Sequence, residues 1–126
     1  MFFSVNLNAA GPSVKLDKFP EKKLNNMASL QNGAKIFMNY CVGCHGISQV
    51  RYGKLQDIGL SKNQISSYLM FDKSNTMASS IRTSMTSDSK DWFGKMPPDL
   101  SLTARSRSSP AGSGADWIYT YLRSFY

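Results

Sequence analysis

Three residues of the chain, Cys41, Cys44 and His45, have the types and the spacing needed to bind haem covalently. They form the sequence Cys-x-x-Cys-His, with Val42 and Gly43 between the cysteines, and this sequence is typical of c-type haem attachment. Cysteines three residues apart on a helical turn face the same way, so both thiols can add to the vinyl groups on one edge of a porphyrin. The next residue then offers its imidazole to the iron. We therefore predict a haem c with His45 as the proximal ligand.

Three other kinds of site use paired cysteines, and each fits this sequence less well. A structural zinc site needs four protein ligands, whereas the chain has two cysteines and one histidine. Dithiol redox chemistry uses Cys-x-x-Cys beside a βαβ unit, and no such pattern is visible. A disulfide between Cys41 and Cys44 would close a very short loop and would add little stability. Haem attachment is the preferred interpretation.

The sixth ligand of the iron is less strongly indicated. His45 is the only histidine, so a second histidine ligand is excluded within this chain. Methionine is the usual sixth ligand of electron-transfer cytochromes, because its thioether raises the reduction potential. Three of the seven methionines lie at helical spacings suited to core filling, and three others lie before or on the helix of the motif, whereas Met96 lies in a loop beside Pro97. Spacing alone makes Met96 the candidate distal ligand.

The residues that lead to the motif predict a helix. Apolar side chains recur every three or four residues from Ser29 onward, a helical period, and Ser29 is expected to cap the first turn. Gly33 lies inside this helix, where glycine costs about 1 kcal/mol, so we expect another helix to cross closely there. The apolar positions are Leu30, Ala34, Phe37, Met38 and Cys41.

Further helices are expected downstream, and no strand is. Ser61 and Gln64 have the form of a capping box, and Met77, Ile81 and Met85 share a helical spacing. A last helix is expected from near residue 116, after a loop over residues 105–114. Because no segment alternates apolar and polar residues over six positions, the predicted class is all-α. We assign residues 1–28 to a signal-peptide remnant and an extended lead-in, and residues 29–126 to a cytochrome c-like haem domain.

Composition limits the possible partners. The net charge is +7, from 15 basic and 8 acidic residues, which favours acidic partners. The basic residues are dispersed and interrupted by acidic ones, so we interpret them as a solvated surface and expect no nucleic acid partner. No run of about 20 apolar residues is present. Residues 1–11 have the composition of the end of a secretion signal and its cleavage zone.

Longer segments around the motif resemble the bacterial cytochrome c1 family, the haem subunits of the cytochrome bc1 complex. The segment Pro97-Pro98-Asp99-Leu100-Ser101, followed by two nearby arginines, is far more specific than the haem motif that many cytochromes share. The resemblance covers residues 28–126. The other matching segments are residues 30–37, 39–45, 51–55, 92–94, 104–107 and 114–126.

This resemblance implies a fold, a cofactor and partners. The family has an all-α cytochrome c domain with covalent haem c and a C-terminal membrane helix. Its haem accepts an electron from the Rieske iron–sulfur protein and passes it to a cytochrome c, in a complex with cytochrome b. The matched positions imply that Pro97 and Pro98 line the haem pocket and that Arg105 binds a propionate through its guanidinium fork. Because such haem attachment takes place outside the bacterial inner membrane, we expect the domain on the periplasmic side.

The resemblance also changes the expectation for the sixth ligand. The family's axial methionine lies in a Gly-Met-Pro-like segment beyond the aromatic helix that here runs to Tyr126. It therefore implies a domain incomplete at its C terminus, lacking that ligand and the membrane helix. Met96 remains the distal ligand of one alternative, a free-standing soluble monohaem cytochrome c. A haem peroxidase or gas sensor with an open sixth position is a further alternative, although the chain offers no second histidine as a distal acid–base group.

Overall fold

The computed structural model describes residues 14–125, so the predicted signal remnant at residues 1–11 lies outside the described residues. The α-helices are α1 (Met27–Ile36), α2 (Lys62–Tyr68), α3 (Ser89–Phe93), α4 (Thr103–Ser106) and α5 (Gly114–Arg123). The strands are β1 (Ile47–Arg51) and β2 (Ser80–Ile81). Shorter helical turns are the 3-10 segments Glu21–Asn25 and Tyr52–Ile58 and a π-helical turn at Phe37–Cys41. No helix within residues 14–125 is long and apolar enough to cross a membrane.

The strand pair β1–β2 corrects the prediction of an all-α fold. Ile81, which we predicted on a helix with Met77 and Met85, lies instead on β2 opposite Ile47 of β1, in an antiparallel pair. The contact continues past the strands, where the Gly53 N–H donates to the carbonyl of Met77 at 2.8 Å. A strand of two residues is too short to show the alternation of apolar and polar residues by which strands are predicted from sequence. The fold is a mainly helical domain with one small sheet.

Helix α1 forms as predicted but begins earlier. Asn26 caps it, with its side-chain oxygen accepting the Ser29 N–H at 3.0 Å, so the expectation that Ser29 is the cap was wrong. An amide oxygen satisfies an orphan N–H of the first turn as well as a hydroxyl does. The close helix crossing expected at Gly33 was also wrong, since no described atom beyond its two neighbours and the backbone of its own helix lies within 4 Å of the place of a Cβ there.

The hydrophobic core includes part of the π-helical turn that leads into the predicted haem motif. The capping box of α2 is confirmed: the Gln64 N–H donates to the Ser61 hydroxyl, and the Gln64 side chain accepts the Ser61 N–H. This cap orients α2 so that Ile65 is fully buried. The buried apolar side chains are Met38, Tyr52, Ile65, Leu69, Met70 and Ile81. Because Met38 belongs to the π-helical turn, packing of this core fixes the turn that carries Cys41.

Helices α4 and α5 are in close contact. Gly114 is buried at the first position of α5, and a Cβ there would overlap the backbone carbonyl of Ala104 on α4. Only glycine allows the two backbones to approach this closely. The contact fixes α4, which carries Arg105.

Asp116 joins the extended segment before α1 to α5. Asp116 is 5% exposed, and its carboxylate accepts the Phe19 N–H at 2.8 Å, the Lys18 ammonium at 3.0 Å and the Ser113 N–H at 3.1 Å. The Phe19 N–H, followed by Lys18 and Ser113, holds the pKa of Asp116 well below its usual range. All three donors favour the ionised carboxylate.

This carboxylate predicts a loss of stability in acid. A group whose folded pKa lies below its unfolded value stabilises the fold above the unfolded pKa, near 3.9 for aspartate, and stops doing so as pH falls toward the folded pKa. We expect Asp116→Asn to melt below the unchanged protein at pH 7, with the difference narrowing as pH falls from about 5 to about 2. Thermal unfolding followed by circular dichroism tests this. Asp57→Asn, which removes an exposed ion pair with Lys54, is the control, and a constant difference at all pH values would contradict the role of Asp116.

Candidate haem-binding site

The two cysteines of the motif lie where the π-helical turn ends. The Val42 N–H donates to the carbonyl of Phe37 at 3.0 Å, and the His45 N–H donates to the carbonyl of Cys41 at 2.8 Å. Cys41 and Cys44 are both free and half-buried. Single π-helical turns often occur at functional sites. Here the π-helical turn ends at Cys41, and the next backbone turn carries Cys44 and His45.

His45 is oriented by a hydrogen bond from its ring. Nδ1 of His45 lies 2.8 Å from the carbonyl oxygen of Pro98, 53 residues away in sequence. Because a carbonyl can only accept, Nδ1 carries the proton and Nε2 carries the lone pair. A histidine that ligates a metal commonly donates its other ring N–H in this way, which fixes its tautomer and orientation. The ring of His45 is therefore prepared to bind iron through Nε2.

The segment after Pro98 is tied to the strand after His45. The two carboxylate oxygens of Asp99 accept the Ser48 N–H at 2.8 Å and the Ser101 N–H at 2.9 Å. The Leu100 N–H donates to the carbonyl of Gly46 at 2.8 Å. Desolvation acts to raise the pKa of Asp99, but hydrogen bonds from Ser101 and Ser48 outweigh it and hold the pKa at about 2. Asp99 is therefore an anion at neutral pH.

A second segment supports the motif between its cysteines. The Thr83 hydroxyl donates to the carbonyl of Gly43 at 2.8 Å and accepts the Met85 N–H at 3.1 Å. We did not single out Thr83 from the sequence. Its contact joins residues 40 positions apart, and local patterns carry no signal for such pairs.

The structure brings together some of the predicted site residues and not others. The Pro98 carbonyl contacts the ring of His45 directly, and Pro97, the residue before Pro98, is half-buried. Met96 is 38% exposed and lies two residues before Pro98. Arg105 is exposed on α4, and its guanidinium forms no ion pair within residues 14–125.

The described residues fit a haem c. Two free thiols with the required spacing could supply the covalent bonds, and an imidazole with a directed Nδ1–H could supply the ligand. The aromatic side chain next to Cys41 in sequence, that of Tyr40, is 81% exposed. Such a side chain gives a porphyrin an apolar surface to cover.

Comparison with known proteins gives consistent matches. The profile described as the Cytochrome C1 family matches residues 20–126. Cytochrome c1 of Allochromatium vinosum is 42% identical over 104 residues, which cover 82% of this chain and 40% of that protein. The ammonia monooxygenase gamma subunit of Nitrosomonas europaea is 41% identical over 119 residues, 94% of this chain and 48% of that protein. Cytochrome c1 of Rhodospirillum rubrum is 29% identical over 113 residues, 76% of this chain and 40% of that protein. The chain thus spans half or less of the length of these relatives.

Proposed function

Because the chain belongs to the cytochrome C1 family, whose members carry covalent haem c, we propose that it carries single electrons on a haem held by Cys41, Cys44 and His45. The observation that supports these residues most directly is the 2.8 Å hydrogen bond from Nδ1 of His45 to the Pro98 carbonyl, beside two free thiols. The haem, when bound, supplies an iron that gains and loses one electron.

The residues of the chain hold and tune this group. Cys41 and Cys44 would each hold the haem through one thioether, formed by adding the S–H across a vinyl group, so the cofactor would not dissociate. Nε2 of His45 would ligate the iron, while the Pro98 carbonyl keeps the proton on Nδ1 and would increase the donor strength of the ring. Arg105 is proposed to bind a propionate, and Pro97 to line the pocket beside Pro98.

The placement of Met96 does not favour it as the distal ligand. Met96 lies two residues from Pro98, whose carbonyl contacts Nδ1 of His45. Nδ1 is the ring nitrogen that would not bind the iron, so the segment that holds Met96 would support the imidazole of His45 from the side away from Nε2. A residue in that segment would be poorly placed to supply a second ligand to the same iron. The soluble cytochrome with Met96 ligation is therefore the weaker candidate.

The partners follow from the family. We propose that the haem domain accepts electrons from a Rieske iron–sulfur protein and passes them to a cytochrome c, within a bc1 complex that includes cytochrome b. A periplasmic position on the membrane complex, anchored by a C-terminal membrane helix, belongs to the same proposal. The net charge of +7 favours docking partners with acidic surfaces.

A second candidate comes from the relative in Nitrosomonas europaea. That protein is named as a subunit of ammonia monooxygenase, and it matches 94% of this chain. The haem domain would be the same, and only the partner complex would differ. The family profile and the two cytochrome c1 relatives favour the bc1 complex.

Stopped-flow spectroscopy tests the proposed function. The oxidised haem-loaded chain is mixed with a reduced Rieske fragment, and then, once reduced, with oxidised cytochrome c. We expect one electron per haem in each step, with rates that depend on salt because the chain is strongly basic. Failure of the Rieske fragment to reduce the haem would contradict the proposal. Peroxide turnover well above that of a free haem peptide would support the open-site alternative instead.

A further inference from the structure

A hydrogen-bonded network connects the segment that begins at Pro98 to the strand that follows His45. Its bonds are Leu100 N–H to Gly46 carbonyl at 2.8 Å, Ser48 N–H to Asp99 carboxylate at 2.8 Å, and Gln49 N–H to Ser101 hydroxyl at 3.1 Å. We call these six residues, which join segments 46–49 and 99–101, the Asp99 clamp. The first residues of the clamp, Gly46 and Asp99, directly follow His45 and Pro98, which are joined by the hydrogen bond from Nδ1.

Asp99 is the central residue of the clamp because both of its oxygens are used. Oδ2 accepts the Ser48 N–H across 51 residues, while Oδ1 accepts the Ser101 N–H within the same turn. A carboxylate accepts N–H groups about twice as strongly as a neutral oxygen does. Gly46 is buried against the same group, and a Cβ at Gly46 would lie only 3.0 Å from Oδ2 of Asp99. The carboxylate is thus held against the backbone that follows His45.

Another aspartate shows what a purely local role would be. Asp72 accepts the N–H of Ser74 at 2.9 Å and the Ser74 hydroxyl at 2.7 Å with one oxygen. Those bonds close a turn and join no distant segments. Asp99 makes the same turn with Ser101 and adds the long-range bond to Ser48. Because the bond to Ser48 joins two distant segments, Asp99 can do more than close its own turn.

The position of the clamp determines what it controls. The carbonyl of Pro98 and the N–H of Asp99 belong to one planar peptide unit, so fixing Asp99 fixes the direction of that carbonyl. The carbonyl in turn accepts the Nδ1–H of His45. We infer that Asp99 is a positioning residue for the haem ligand: its carboxylate aims the Pro98 carbonyl at His45 and so sets the orientation and donor strength of the imidazole. This inference rests on the proposed ligation of iron by His45.

The single histidine of the chain makes a direct experiment possible. Labelling with ¹⁵N-histidine gives one imidazole, that of His45, so the exchange of its Nδ1 proton can be measured by NMR in the reduced haem-loaded full chain. In Asp99→Ala the Pro98 carbonyl should no longer be held toward Nδ1 of His45. The exchange of the Nδ1 proton should then be about tenfold faster, the factor expected for the loss of one hydrogen bond. The reduction potential should rise, since a negative charge is removed and the imidazole becomes a weaker donor. The matched control Asp72→Ala should leave the exchange rate within about twofold.

Two milder variants cover the case in which Asp99→Ala does not mature. Asp99→Asn keeps one acceptor oxygen. Ser101→Ala removes the bond from Gln49 and the contact of the Ser101 hydroxyl with Asp99 but keeps the carboxylate, so each variant should give a smaller increase in exchange. Unchanged exchange and an unchanged potential in the variants that mature would overturn the positioning role. A chain that gains no haem at Cys41 and Cys44, even without substitution, would instead refute the proposed function.

Discussion

Replacing His45 by alanine is expected to remove the spectrum of an imidazole-ligated haem from the haem-loaded chain. The imidazole is half-buried, its Nδ1–H is bound by Pro98, and the chain holds no other histidine. The thioethers would still attach the haem, so the protein should remain coloured while the Soret band and the α-band shift because the imidazole is lost. We also expect a large change in reduction potential, because axial ligation is a main determinant of haem potentials. Absorption spectra of the oxidised and reduced variant measure both effects.

Met96→Ala is the control for this experiment. We expect it to leave the α-band unchanged, because Met96 lies two residues before Pro98, whose carbonyl contacts His45 at Nδ1 and not at Nε2. Loss of a methionine–iron charge-transfer band in Met96→Ala would support the free-standing soluble cytochrome. A normal α-band in His45→Ala would refute the assignment of His45 as the ligand.

The double variant Cys41→Ser and Cys44→Ser is expected to yield almost no covalently bound haem after maturation. Serine differs from cysteine by one atom and both positions are half-buried, so the helical turn should persist, while the hydroxyl does not form the thioether. Each single variant should keep one thioether and shift the reduced α-band. Haem staining after denaturing electrophoresis measures the bound fraction. Equal staining of the double variant and the unchanged protein would contradict attachment at these cysteines.

The elements with local signals were predictable from the sequence. The capping box of Ser61 and Gln64 and the start of the last helix near Asp116 depend on residues a few positions apart, and both appear in the structure. The strand pair was missed because β2 has two residues and β1 is interrupted by a shift in register. Ile81 is fully buried on β2, and a buried position on a short strand has the same apolar character as a position on a helix.

The Cys-x-x-Cys-His motif could be singled out from the sequence, but the contacts that support it could not. Cys41, Cys44 and His45 are recognised by spacing alone. The contacts of His45 with Pro98 and of Gly43 with Thr83 join residues 53 and 40 positions apart. Such contacts depend on how the chain folds back on itself, which no local period encodes. The segment from Pro98 to Ser101 stood out only through the family resemblance, and the structure assigns it a physical role beside His45.

The most direct test of the central claim is the mass of the peptide that holds the motif. Trypsin cleaves after Lys35 and Arg51, so residues 36–51 form one peptide that contains both cysteines. After expression in a host that exports the chain and matures c-type cytochromes, we predict that this peptide carries the mass of one haem and absorbs in the Soret region. A colourless peptide of unmodified mass, from a chain that is folded and exported, would contradict the claim.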